Sequence, residues 1–215
     1  MMSEKSSIKT YLVACGGHGR VLLDSVLASG KTIDGIIDSQ LERGENIFGV
    51  EVLGDDKYLA TLDPHLSTLI NGLGSTGDSK NRINLFDRFS KLGFKFVGVT
   101  HPAASIGAEC KVNESAQILA GAVLQNRVEV GRNVVVNTRA SVDHDVVLAD
   151  HVVVSPGAII SGAVKVGRGA FVGAGAVIIQ GIEIGEYCII GAGAVVRHNT
   201  KPNTTVVGNP ATQLE

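Results

Sequence analysis

The sequence predicts a small α/β unit followed by a parallel β-helix, and three observations carry the prediction. From Ile106 to Val196 every sixth residue is Ile, Val or Leu, sixteen positions without an insertion. Two places before each stands a small or aliphatic residue, from Ala104 and Cys110 to Cys188 and Ala194. Ahead of this run, short apolar stretches alternate with amphipathic ones, the pattern of a parallel sheet with crossover helices. An unbroken register of six fits neither a 3.6 nor a 2.0 period. It is the hexapeptide repeat of a β-solenoid. Three hexapeptides close one triangular coil, with the large aliphatic residue inward and the small one near a corner. Coils stack at about 4.8 Å, so roughly five coils give a prism about 25 Å tall.

The elements follow in order. Residues Met1 to Ser7 are polar and expected to be loose. Ile8 to Cys15 reads as a buried strand, and Gly16-Gly17-His18-Gly19 as the turn after it. Arg20 to Ser29 reads as a helix stopped by Gly30, and Thr32 to Ile37 as a second strand ending at Asp38. Val50 to Leu53 is extended, and Asp55 caps a helix reaching about Thr61. Leu66 to Leu73 is a strand, followed by the loop Gly74-Ser75-Thr76-Gly77-Asp78. Asn81 to Leu92 is an amphipathic helix, with Ile83, Phe86 and Phe89 on one side and Arg82, Asp87, Arg88 and Lys91 elsewhere. Phe94 to Val99 is the last strand of a Rossmann-like domain over residues 1–100. His101-Pro102 opens the β-helix domain, residues 101–215. Its repeat ends at Thr200-Lys201-Pro202, and Val206 to Ala211 closes it.

Composition narrows the function. The chain has 215 residues, a net charge of −2 and interspersed acids and bases. That leaves no basic footprint for nucleic acid. Its three cysteines, Cys15, Cys110 and Cys188, include no CxxC pair. Cys110 and Cys188 occupy the small inward position, where burial in reduced form is expected. This fits a reducing, cytoplasmic setting. No apolar run is long enough to span a membrane, and Tyr11 to Cys15 is too short for a signal-peptide core.

Three motifs carry chemistry. The glycine loop lies between a strand and a helix, where backbone N–H groups approach an anion. Asp38 ends the second strand, placed to accept from a nucleoside, with Ser39 beside it. Ala14 stands where a GxGxxG pattern has its first glycine, so a tight turn is the competing reading and NAD is disfavoured. Gly74 and Ser75 begin a loop at the same sheet edge, which serves either as a contact loop or as a plain connection. In the repeat, Asp143-His144-Asp145 flanks an imidazole with carboxylates. One carboxylate can hold the ring in one tautomer, as a general base needs; a surface histidine in a charged turn explains it equally. His151 occupies a different hexapeptide position. His144 and His151 lack a third ligand, so no metal site is expected. His65, His101 and His198 read as structural or solvated.

Gly-Gly-His-Gly, then His-Pro, then hexapeptides containing Asn-Thr-x-x-x-Val-Asp-His-Asp, then Val-Gly-Asn-Pro-Ala form a series spanning nearly the whole chain. This series resembles the bacterial sugar acetyltransferases related to sialic acid O-acetyltransferases and to the nucleotide-sugar N-acetyltransferases of bacillosamine and perosamine pathways. The resemblance implies a left-handed β-helix, a homotrimer, and active sites between neighbouring prisms. It implies that acetyl-CoA is the co-substrate, lying between two prisms near Gly162, Ala174 and Ala192 of the adjacent chain. It places a nucleotide-sugar on the α/β domain at Gly17, His18, Gly19 and Asp38. It makes His144 the general base, oriented by Asp145, with a backbone N–H such as that of Gly162 on the oxyanion. Relatives often carry a second histidine nine residues after the base; here that position is Val153.

The resulting expectation is transfer of acetyl to the amine of a nucleotide-linked amino-deoxysugar, a UDP-4-amino sugar first, in bacterial glycan biosynthesis. Two alternatives stand beside it: O-acetylation of a sialic acid, and a non-catalytic trimeric nucleotide-binding scaffold. A carbonic-anhydrase-like enzyme on the same prism is a distant fourth.

Overall fold

The structure, a computed structural model, describes residues 8–214; the polar stretch 1–7 lies outside them. The first unit is built on β1 (Lys9–Val13), β2 (Gly35–Ile37), β4 (Val50–Gly54), β5 (Ser67–Asn71) and β6 (Lys95–Phe96), with β3 (Asn46–Ile47) at one edge. The sheet order is β3-β4-β2-β1-β5-β6. All pairs are parallel except the β3–β4 hairpin. Helices α1 (Gly17–Ala28), α2 (Asp56–Leu59) and α3 (Lys80–Lys91) connect the strands. Leu12, Leu22, Leu23 and Ile36 form one apolar cluster, and Tyr11, Leu69, Phe86 and Phe89 another.

Three details differ from the sequence reading. Helix α1 begins at Gly17 and so takes in His18 and Gly19, because Gly16 in extended conformation serves as its N-cap. β2 begins at Gly35, after the chain turns past Asp34. The strand expected over Phe94 to Val99 divides. Lys95–Phe96 stays with the first sheet, whereas Val99–Thr100 pairs with Gln117–Ile118 and opens the prism. Gly98 makes that passage possible, since a Cβ there would overlap the backbone of Ala116.

The second unit is the left-handed parallel β-helix. Strand pairs repeat every coil: Gln117–Ile118 with Val135–Val136, then with Val153–Val154. The inward residues from Ile118 through Val196 form one continuous buried column with the small residues between them. Each such aliphatic side chain contributes about 1.5–3 kcal/mol on burial. The first coil is looser: Ile106 is 41% exposed and Cys110 is half-buried, contrary to expectation, because no coil covers it from above. Cys188, deeper in the stack, is buried.

The outward residues give the three faces different characters. On the first face, Gln117, Val135 and Val153 are buried because the α/β unit packs on them; α1 lies against Val99–Thr100. The second face presents Val123, Ile159, Val177 and Val195, with Ile159 47% exposed. The third presents Lys111, Glu129, Lys165 and Glu183, joined as the ion pairs Lys111–Glu129 and Lys165–Glu183.

Candidate active site

Val13 of β1 lies in register with Ile37 of β2 and Asn71 of β5. The segments after these strands therefore meet at one carboxyl edge, where open α/β sheets hold ligands. Ala14 takes a left-handed conformation, φ 69°, which turns the chain into α1. The Cys15 N–H donates to Asp38 Oδ2 at 2.6 Å and the Gln40 N–H to Oδ1 at 2.7 Å. Asp38 thus braces the glycine loop. An ionised carboxylate has about four acceptor sites, so acceptor capacity remains for a ligand. Asp38, Ser39, Gly17, Arg20 and Cys15 line a cavity of about 640 Å³. Among the described residues no side chain caps helix α1, which leaves its first-turn N–H groups for an anion. A Cβ on Gly17 would meet nothing within 4 Å, whereas one on Gly19 would lie 2.3 Å from the Ala14 carbonyl oxygen. Gly19 is therefore a packing glycine: it is buried and lines neither cavity of this edge.

A second cavity, about 460 Å³, lies between this edge and the covered face of the prism. His18, Gly74, Ser75, Arg82, Asn137 and Val153 are among its lining residues. His18 Nε2 is 2.9 Å from Gln117 Oε1. Burial, and then the positive charge of Arg82, push the His18 pKa down to about 4, so the ring is neutral near pH 7. Arg82 is buried, not on the polar side of α3 as its helical position suggests. Its Nη1 donates to the Asn71 and Leu73 carbonyls at 2.9 and 2.7 Å. Among the described residues its Nε and Nη2, and the Ser75 hydroxyl, have no partner. Burial lowers the Arg82 pKa to about 9, which leaves it charged at neutral pH. Val153 offers this cavity only methyl groups.

His144 stands at the corner between the apolar and charged faces, with its side chain 54% exposed. Its Nδ1 is 2.7 Å from Asp145 Oδ2. Asp145 in turn accepts two bonds from Arg127, at 2.7 and 2.9 Å. Arg127 first, and His144 second, hold the Asp145 carboxyl well below the usual carboxylate range. The carboxylate is therefore ionised and accepts a hydrogen bond from Nδ1–H, leaving Nε2 with the free lone pair. Gly162 lies one coil on, directly against the ring: a Cβ there would be 2.6 Å from His144 Nε2. Among the described residues no backbone acceptor takes the Gly162 N–H. Arg127 was not singled out in the sequence, although it precedes Asp145 by one coil, eighteen residues, and that spacing places both on one corner.

Ala174 and Ala192 stand at the other corner of the apolar face, stacked below Thr138 and Pro156. Both are exposed, and their N–H groups also lack a backbone acceptor among the described residues. One chain thus does not bring Gly162 together with Ala174 and Ala192; Gly162 shares a corner with His144 of its own chain. His151 lies at a third corner, buried against Phe86 and 3.0 Å from Asn133 Nδ2. It shares nothing with His144. His101 Nδ1 accepts from the Ala103 N–H at 2.9 Å and so stiffens the entry to the prism, while His65 and His198 are exposed.

The chain matches the PglD N-terminal domain family over residues 9–89 and the bacterial transferase hexapeptide (six repeats) family over residues 163–198. It is similar to perosamine N-acetyltransferase from Caulobacter crescentus, solved with CoA and GDP-perosamine. There the identity is 30% over 96% of this chain and 97% of that one, with a TM-score of 0.84. It is similar to the acetyltransferase domain of PglB from Neisseria gonorrhoeae, solved with acetyl coenzyme A. Here the identity is 31% over 97% and 100% of the two chains, with a TM-score of 0.85. WeeI from Acinetobacter baumannii matches at 26% identity over 96% and 99%, with a TM-score of 0.86. With this fold along its whole length and relatives at this level of identity, the chain belongs to the hexapeptide-repeat nucleotide-amino-sugar acetyltransferase family.

Proposed function

We propose that this protein is an acetyl-CoA-dependent N-acetyltransferase acting on a nucleotide-linked amino-deoxysugar, as a homotrimer in the cytoplasm. The single observation that carries the reading is the Arg127–Asp145–His144 relay set over Gly162 at the rim of an apolar prism face. The likeness to relatives solved with CoA, acetyl-CoA and GDP-perosamine supports both substrates. The two units divide near Gly98, each with its own role.

The nucleoside sits in the Asp38 and Ser39 cavity, and the diphosphate crosses the first turn of α1 at Gly17. The sugar then enters the cavity walled by His18, Gly74 and Ser75. Assembly follows from the faces. One prism face is covered and one carries paired charges, so the apolar face of Val123, Ile159, Val177 and Val195 is left to bury. Around a three-fold axis the edge of one subunit must meet the opposite edge of the next. The His144 edge of one prism thus meets the neighbour's Asn137, Ala174 and Ala192 edge. Acetyl-CoA lies in that seam, against the free N–H groups of Ala174 and Ala192. This joins Gly162 of one chain to the two alanines of the next.

His144 Nε2 takes a proton from the sugar amine as its nitrogen attacks the thioester carbonyl. Asp145 holds the imidazolium through Nδ1, and the Gly162 N–H stabilises the oxyanion. The tetrahedral intermediate collapses with loss of the CoA thiolate, which is protonated by the imidazolium, and the amide remains. His144→Asn is expected to lower kcat by about 10²–10⁴-fold while the trimer persists. Wild-type turnover in that variant would remove the base. Turnover of GDP- and UDP-linked amino sugars separates the nucleotides. Hydroxylamine distinguishes the stable amide from the ester that O-acetylation would make.

A further inference from the structure

We propose that Gln117, a residue of the prism, locks His18 in the Nε2–H tautomer, so that Nδ1 meets an O–H or N–H donor on the sugar ring other than the reacting amine. Gln117 is then a positioning residue and His18 a specificity-determining one, on the reading of the cavity given above.

The argument rests on hydrogen bonds whose direction backbone groups dictate. Gln117 is buried, and its side-chain nitrogen donates to the Asn71 backbone carbonyl at 2.8 Å. A carbonyl cannot donate, so the amide nitrogen faces Asn71 and the amide oxygen faces His18. Asn71 is pinned likewise: its Nδ2 donates to the Arg82 carbonyl at 3.1 Å, and its Oδ1 accepts from the Leu73 N–H at 3.2 Å. The atom 2.9 Å from His18 Nε2 is therefore an acceptor, and Nε2 must carry hydrogen. Burial, and then the charge of Arg82, oppose a second proton on the ring. Nδ1 is left as a bare acceptor without a protein partner among the described residues, on a ring that lines the cavity. Arg82 is also among the residues of this cavity wall, its Nε and Nη2 buried behind the surface and without acceptors among the described residues. The wall thus offers an acceptor at His18 Nδ1, which a ring hydroxyl or amine of the sugar can satisfy.

Two measurements test this. The first needs no ligand: long-range ¹⁵N–¹H correlation on the histidine rings of the free protein. The wild type is expected to show His18 as neutral Nε2–H, and Gln117→Met a mixture of tautomers. An Nδ1–H ring in the wild type overturns the proposal. The second uses whichever of GDP-perosamine and a UDP-linked 4-amino sugar the wild type turns over. His18→Leu, at a half-buried first-turn position, is expected to raise the sugar-nucleotide KM about tenfold with the acetyl-CoA KM unchanged. His18→Asn, whose side-chain carbonyl can stand in for Nδ1, is expected to recover most of that loss. Equal KM values in the two variants overturn the acceptor role. If the wild type turns over neither sugar nucleotide, the function proposed above fails, while the ring correlation still decides the role of Gln117.

Discussion

Gly162→Ala isolates the placement of the base from every other feature of the site. The new Cβ would lie 2.6 Å from His144 Nε2 and 2.7 Å from Cε1. Ordinary carbon–nitrogen contact begins near 3.4 Å, so the ring must retreat by about 0.8 Å. Nothing else need move, because the imidazole is 54% exposed and Gly162 is not in the left-handed region that alanine avoids. The Gly162 N–H is retained as well. The thermal midpoint is therefore expected to hold, while a shift approaching 1 Å at the base costs kcat about 10²-fold. Thiol release from acetyl-CoA measures it. In a His144→Asn background Gly162→Ala is expected to have little further effect, since the two act through one interaction. Wild-type kcat in Gly162→Ala, or losses that multiply in the double variant, would refute the reasoning.

Other consequences follow from the same geometry. Arg127→Met leaves Asp145 free to leave the ring, so kcat is expected to fall about tenfold with both KM values held; unchanged kcat would make Arg127 a bystander. Ile159→Glu places charge at the centre of the apolar face and is expected to yield inactive monomers by sedimentation; an active trimer would move the interface elsewhere. His18 and His151 both have pKa values pushed down to about 4 from 6.5, chiefly by burial. Between those values the unfolded chain binds protons that the folded chain does not. Stability therefore falls as pH drops from 6.5 towards 4, by up to about 1.4 kcal/mol per pH unit for each ring. Urea midpoints across that window are expected to decline in the wild type and less in His151→Gln; a flat midpoint would contradict the burial of both rings.

Much of this was legible in the chain itself. A six-residue period specifies which side chain points inward without reference to anything distant, and Ile118, Val142 and Val196 are buried accordingly. The same period places Asp145 beside His144, and eighteen residues is enough to place Arg127 beside both. Strand–loop–helix order brings Gly17 and Asp38 to one edge, because parallel strands expose their following loops on the same side. Tertiary packing alone decided the rest. His18 meets Gln117 across 99 residues, and Arg82, Gln117 and His151 are buried because one domain rests on a prism face. Local periodicity assigns polar residues at such positions to solvent; only the docking of a second body removes that solvent. Which prism face is covered follows from that docking too.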